Sequence, residues 1–406
     1  MMIKRAIKSL RHRGIKGSFQ RIVRGRPKTS VFDTLDFIVN QEVIPFNEED
    51  YELNKNKNKT LNWVIPEMSA GSGGHLNIFR FITYLEKRGI HNRVYLFKSS
   101  RFLNDEYLID FIRKNFSILD EKVELFHDVK QMKFAHGIVA TSWDTAYFVK
   151  NYNNVISKFY FVQDFEPYFY AHGSVYEFAE QTYKFGLRGI TAGDWLKDIC
   201  INNYGMKADS FGFSYDKDLY FPRDNRHTNK RVFFYARPVT PRRDFELGLL
   251  ALNELSKKIE DLEVIFAGWD VSTYEIPFKH QNLGVMRIEE LSELYSSCDF
   301  CLVISNTNLS LLPLEVMASG SVAVCSKGPN SDWLVNEENC ILVDYDPIQI
   351  SNTMYQYLLD ENKLSNLRKK GVEFAQKTSW DIEGEKVFNS IMKGLLEDEE
   401  CINYRR

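Results

Sequence analysis

The chain has 406 residues, 44% of them apolar and 26% charged, which excludes a disordered or fibrous protein and leaves room for two or three cored domains. No run reaches the roughly 18 apolar residues of a membrane span, and the first residues lack the apolar stretch and cleavage site of a secretory leader. A cytoplasmic location is therefore expected. The net charge of −3 hides an asymmetry: residues 1–32 carry ten Lys or Arg and no acid, so the rest carries −13. Nucleic acid is not an expected partner of so acidic a body, whereas the basic segment suits an anionic surface.

Residues 1–58 read as a basic extension and linker. Ile3, Ala6, Ile7 and Leu10 recur at helical spacing among Lys4, Arg5, Lys8 and Arg11, a basic amphipathic helix suited to the inner face of the plasma membrane. The alternating run from Asn54 to Lys59 reads as a polar linker.

From residue 59 to 220 the pattern alternates strand and helix. Leu61–Pro66 reads as a strand, followed by the loop Gly71-Ser72-Gly73-Gly74-His75 and a helical stripe of Leu76, Phe79, Ile82 and Leu85. Further strands are expected at 93–97, 137–141, 158–163 and 187–191. This is a Rossmann-like order with a parallel sheet. Ligands of such sheets bind beyond the carboxyl ends of the strands, so the loops there are the candidate sites. Gly73, Gly74 and His75 open a helix, where backbone amides favour an anion. The segment from Gln163 follows a strand, and its Asp164, Glu166 and His172 are candidates for orienting an acceptor or taking its proton. The bland reading is capping and turn formation ahead of Pro167.

A second alternating series fills residues 221–377. Strands are expected at 231–235, 262–267, 300–304 and 322–325. Helices are expected at 245–259, 288–297, 312–319, 348–359 and 364–376. After the first strand, Arg237, Arg242 and Arg243 put three guanidiniums at one strand end, a group suited to phosphate oxygens. After the third, a polar loop (Thr307, Asn308, Leu309, Ser310) leads into a helix that carries Glu315. Its amides can bind phosphate and Glu315 can accept from ribose hydroxyls. The six cysteines sit mostly in apolar runs and read as reduced, buried thiols. Cys298 and Cys301 have metal-like spacing but no second pair, so no metal is expected. Residues 378–406 read as a final helix.

Together these segments resemble the retaining GT-B glycosyltransferases of family 4, over about residues 60–390. The family's Gly-Arg-Leu and Lys-Gly correspond to Ala236-Arg237-Pro238 and Arg242-Arg243. Its Gly-containing strand end corresponds to Ala267-Gly268. Its Leu-Gly, Glu-Glu-Leu and Ala-Asp steps correspond to Leu283-Gly284, Glu289-Glu290-Leu291 and Cys298-Asp299. Its Glu-Ala-Met-Ala-x-Gly helix corresponds to Glu315-Val316-Met317-Ala318-Ser319-Gly320. More narrowly, the chain resembles bacterial rhamnosyltransferases that build surface-layer glycans.

The resemblance implies two α/β Rossmann-like domains facing across a cleft, with the last helix crossing back. It implies transfer of L-rhamnose, or another 6-deoxyhexose, from dTDP-L-rhamnose to a glycan hydroxyl, lipid-linked acceptors included, without a metal or other cofactor. Gly268 joins the donor-binding candidates. Where the family has a second Glu eight positions before Glu315, this chain has Thr307, expected to favour an unusual donor sugar. A UDP- or GDP-hexose transferase, a nucleotide-sugar epimerase and a non-catalytic glycan binder are the rivals. An oligomer is compatible with all of them.

Overall fold

The computed structural model describes residues 30–40, 42–225 and 227–405, with side chains through 402. The expected amphipathic helix near Ile3 lies outside the described residues. Met1–Glu42 is a unit by itself. Its described part is the helix Val31–Val39, capped by Ser30, whose Oγ accepts the Asp33 amide at 3.1 Å. No residue of that helix is buried.

Val43–Arg406 forms the second unit. Ile44 pairs with Tyr152, and the helix Glu48–Asn54, capped by Asn47, buries Tyr51 against Phe134 and Ile156. Residues 43–54 thus belong to the body, and the run from Asn54 to Lys59 is a short turn rather than a free linker. The reason is Tyr51, whose ring is removed from water at one point of an otherwise polar segment.

Two parallel sheets follow. The first contains β1 (Thr60–Ile65), β2 (His91–Leu96), β3 (Glu124–Phe126), β4 (Ala135–Ala140), β5 (Val155–Val162), β6 (Arg188–Ala192) and β7 (Ala208–Phe211), in the order β3-β2-β1-β4-β5-β6-β7. The second contains β8 (Arg231–Tyr235), β9 (Glu263–Ala267), β10 (His280–Asn282), β11 (Phe300–Val303), β12 (Val322–Ser326) and β13 (Ile341–Val343), in the order β10-β9-β8-β11-β12-β13. Helices cover both faces, so central strands are apolar throughout rather than alternating. Leu61, Trp63, Val64 and Ile65 have no exposed surface, nor do Val232, Phe300 or Val324. The sequence pattern finds these strands but passes over β3, β7, β10 and β13, which are short and lie at or near sheet edges.

In each sheet the strand order reverses once, between β1 and β4 and between β8 and β11. The crevice beyond such a reversal is where open α/β sheets place ligands. The last helix, Trp380–Arg405, returns from the second sheet to pack on β5 and β7 of the first. Two glycines allow the close approach: a Cβ on Gly394 would stand 2.6 Å from the Phe159 ring, and one on Gly384 would stand 2.5 Å from the Tyr84 ring. Arg188 fixes the far end, with Nε 2.9 Å from Asp398 and Nη1 2.9 Å from Glu397.

Candidate functional site

The loops after β8 and β11 meet at the second reversal. After β8, Thr240 closes a turn onto the Arg237 carbonyl at 2.9 Å, and a single 3-10 turn, Pro241–Arg243, precedes Asp244 in the left-handed region at φ 49°. That turn separates the two adjacent arginines. Arg242 points its guanidinium at the first domain, lying 3.9 Å over the Phe169 ring with Nε 3.6 Å from Asp164 Oδ2. The Arg243 Nη1 is buried and meets no acceptor among the described residues. Burial pulls its basicity below the arginine range, and Asp164 opposes that pull. Arg237 lies between them in commitment: Nη1 donates to the Gly268 carbonyl at 3.4 Å, and the group stands 5.9 Å over Trp269. Gly268, at φ 106°, admits the Tyr235 ring where a Cβ would stand 2.7 Å from it.

The loop after β11 is bound to that turn. Asn306 donates its amide to the Arg242 carbonyl at 2.9 Å and its side chain to Asp244 at 2.6 Å. The next residues reach across to the first domain. Asp164 Oδ2 accepts the Thr307 hydroxyl at 2.9 Å, and Oδ1 accepts the Asn308 amide at 3.1 Å. The Asn308 side chain donates to the Gln163 carbonyl at 3.1 Å. Asp164 and Thr307 are therefore an interdomain clasp.

That clasp corrects several expectations. Thr307 is fully buried, with its hydroxyl given to Asp164, so it is not placed to read a donor sugar. Asp164 is enclosed rather than facing an open cleft; burial pushes its carboxyl up, against the pull of Arg242. The amides of Asn308 and Ser310 are both engaged, the latter by the Asn308 side chain at 3.0 Å, with Ser310 at φ 63°. Leu309 is a core residue. A short polar side chain that folds back on its own loop takes the amides an anion would otherwise meet.

Glu166 and His172 also differ from expectation. Glu166 is buried under the loop after β4, accepts the Trp143 amide and is pushed up to about 8, chiefly by burial and then by Asp144 nearby. Its carboxyl is enclosed and held by the Trp143 amide rather than open to an acceptor. His172 is exposed and pairs with Glu177 at 3.6 Å. His75 is fixed at the start of the helix Gly73–Lys87. Its Nδ1 lies 2.8 Å from Ser72 Oγ and its Nε2 lies 3.2 Å from the Pro66 carbonyl. Since a carbonyl only accepts, Nε2 carries the proton. Burial lowers its basicity, so the ring is neutral. Gln163 donates to the Gly74 carbonyl at 3.1 Å.

Glu315 stands on the helix Leu312–Ala318 beside Tyr220 of the connecting segment. Burial pushes its carboxyl up to about 7, while the Tyr220 hydroxyl and Arg80 pull it down. Arg80 comes from the helix Gly73–Lys87 and lies 4.5 Å over the Trp380 ring, its Nε buried without an acceptor. The sequence analysis missed Arg80 and Tyr220. In a helix at that spacing an arginine looks like any solvated charge.

Residues 230–355 match the family described as WsaF, C-terminal domain. The chain is 31% identical over 351 residues to O-antigen biosynthesis protein RfbC of Myxococcus xanthus, covering 84% of this chain and 27% of that protein. It therefore spans about a quarter of the curated relative it matches. Among solved structures it is similar to S. aureus TarM, held with fondaparinux, α-GlcNAc-glycerol and UDP, at TM-score 0.65 and 10% identity, covering 82% of this chain and 99% of that one. It is similar to Anabaena Alr3699/HepE with UDP and glucose at TM-score 0.63 and 14% identity, covering 82% and 100%.

The chain has the GT-B fold.

In GT-B terms, the cleft is the space between the carboxyl ends of β1, β4 and β5 and those of β8, β9 and β11. On the second domain, Arg237, Arg243 and Gly268 follow the ends of β8 and β9, and Glu315 stands on the helix after β11. The clasp closes the cleft at β5 and β11. Among the described residues no helix is long and apolar enough to cross a membrane.

Proposed function

We propose that this protein is a glycosyltransferase of bacterial cell-surface glycan assembly, moving L-rhamnose from dTDP-L-rhamnose to a glycan hydroxyl with retention at the anomeric carbon. The observation that carries the reading is the Arg243 Nη1, buried after a strand end without an acceptor among the described residues, with Arg237 close by. A buried cation in that state is stabilised by an anionic ligand, and a sugar nucleotide's diphosphate supplies one. Similarity to TarM and HepE, both held with UDP, supports a nucleotide donor. Similarity to RfbC supports a surface-glycan acceptor. The narrower donor assignment rests on the likeness of the chain to the bacterial rhamnosyltransferases that build surface-layer glycans.

In this reading the C1–O bond to the diphosphate breaks as the acceptor oxygen bonds to C1 on the same face. The acceptor proton passes to a diphosphate oxygen, and Arg237 and Arg243 stabilise the negative charge left there. The two arginines supply the charge that a metal would otherwise bring, so chelation leaves turnover unchanged. Glu315 accepts from the ribose hydroxyls.

The test is release of free nucleotide from dTDP-L-rhamnose, UDP-glucose and GDP-mannose, each with and without a glycan acceptor. Acceptor-dependent release of dTDP, at least about tenfold more efficient than release of UDP, is the expected result. Preference for UDP-glucose overturns the donor assignment, and turnover without acceptor favours an epimerase. In the same assay Glu315→Ala weakens donor binding by about 1.5–3 kcal/mol. Because Glu315 is raised to about 7, the wild-type affinity for dTDP-L-rhamnose falls on acidification below that value, as the carboxylate gains a proton and loses acceptor capacity. The free protein shows the opposite trend. A carboxyl raised on folding stabilises the fold below its unfolded value, and that contribution is lost as pH rises through about 7. Affinity independent of pH between 6 and 8 removes the assignment.

The ten positive charges of residues 1–32 hold the enzyme to an anionic membrane in this reading. Full-length protein sediments with anionic vesicles at low salt and is released by high salt. Failure to sediment at low salt ends the idea.

A further inference from the structure

Beside the clasp, a cavity of about 430 Å³ opens between the two domains. From the first domain it is lined by Trp195, Asp198, Asn202 and Asn203 on the helix Asp194–Tyr204, and from the second by Asp332 and Trp333. Its walls follow β6 and β12. These are the strands next to β5 and β11, whose loops make the clasp. The cavity therefore continues the same cleft, about one strand spacing of 4.8 Å further along.

The cavity is built rather than incidental. Gly193, at φ 88°, precedes the helix with its Cα under the Trp333 ring, where a Cβ would stand 2.3 Å from the ring. The edge of Trp333 meets Phe213, with centroids 5.3 Å apart. Its indole N–H donates to the Asn330 carbonyl at 3.0 Å. Asn330 in turn donates to the Thr307 carbonyl at 2.7 Å and to the Ser305 carbonyl at 3.0 Å. Asn308 spans the gap to the Ala192 carbonyl at 3.4 Å. One continuous set of hydrogen bonds thus ties the Trp333 wall to the clasp loop.

The chemistry of the walls selects a ligand class. Two indoles offer flat apolar surface, while carboxylates and amides offer acceptors and donors at the rim. The lining holds three aspartates and no cationic side chain, so it repels a phosphate or diphosphate. Its size falls within the range of small-molecule sites. A neutral ligand with apolar ring faces and many hydroxyls fits all of these. The geometry points to a saccharide subsite at Trp195 and Trp333 that holds sugar units of the acceptor chain beyond the reacting one. The assignment of an acceptor rests on the glycosyltransferase reading above; the saccharide chemistry of the cavity does not.

The test uses the full chain and α-linked rhamno-, manno- and gluco-oligosaccharides of two to four units, with binding followed by calorimetry. At least one series binds the wild type and tightens with length. Trp195→Ala and Asp198→Ala, two changes on an outer helix face, each weaken the best binder by about tenfold and leave dTDP and UDP binding within twofold. No saccharide binding, or equal binding by both variants, overturns the subsite. Loss of nucleotide binding in the variants also overturns it, because the cavity would then belong to the donor. The nucleotide arm separates the two ideas. Wild type that binds neither dTDP nor UDP defeats the glycosyltransferase reading, whereas nucleotide binding with an indifferent Trp195→Ala defeats only the subsite.

Discussion

Arg243→Ala is expected to lower kcat/KM for sugar transfer by about 10²–10³-fold, mostly through kcat. Charge builds on the diphosphate as the sugar leaves, and Arg243 has a buried guanidinium nitrogen, Nη1, committed to no acceptor among the described residues. Arg242 is adjacent in sequence yet differently occupied, stacked on Phe169 and facing Asp164. Arg242→Ala is therefore expected to act on closure and on acceptor KM, with a smaller loss in kcat. Arg243→Lys keeps the charge but loses the planar fork and recovers only part of the rate. Steady-state kinetics on the three variants read this directly. Equal losses for Arg242→Ala and Arg243→Ala would remove the distinction between them, and wild-type kinetics for Arg243→Ala would remove the clamp.

Asp164→Ala is expected to open the cleft. The carboxylate holds the Thr307 hydroxyl and the Asn308 amide and stands beside Arg242. Removing it leaves the Thr307 hydroxyl and the Asn308 amide buried without that acceptor and Arg242 without its carboxylate, at a cost of about 3–5 kcal/mol to the closed arrangement. Each domain keeps its own sheet and core, so the loss appears as separation of the domains rather than as unfolding. Small-angle scattering of the variant shows a larger radius of gyration than wild type, and kcat/KM falls at least about tenfold because water enters the site. Thr307→Val, which removes one neutral donor and keeps the shape, costs about 1 kcal/mol and moves both readouts less. Unchanged scattering and kinetics for Asp164→Ala would show that the clasp is dispensable.

The clasp is the part of the site that is not legible along the chain. Thr307 stands where relatives carry a Glu, a position that points to a role in choosing the donor sugar. The structure instead gives its hydroxyl to Asp164, 143 positions earlier in the chain. His172 is near Asp164 in sequence, yet Asp164 is enclosed in the interdomain contact while His172 is exposed and pairs with Glu177.

What the sequence determined by itself is the local and periodic part. The strands β1, β4, β5, β8, β9, β11 and β12 are apolar runs, because a parallel sheet covered on both faces buries every position. The loops that follow them carry Gly73-Gly74, Arg237, Arg242-Arg243 and Glu315, and a ligand site beyond strand ends follows from the alternation of strand and helix. These features depend on neighbours a few residues apart, so they are written in order along the chain. The tertiary structure decided that Arg242 turns to Phe169 and Asp164, that Asp164 and Thr307 hold each other, that Arg80 and Tyr220 stand beside Glu315, and that two tryptophans 138 positions apart line one cavity. Each of those joins residues far apart in the chain. The hydrogen bonds and burial that define it exist only once two sheets have brought their loops together.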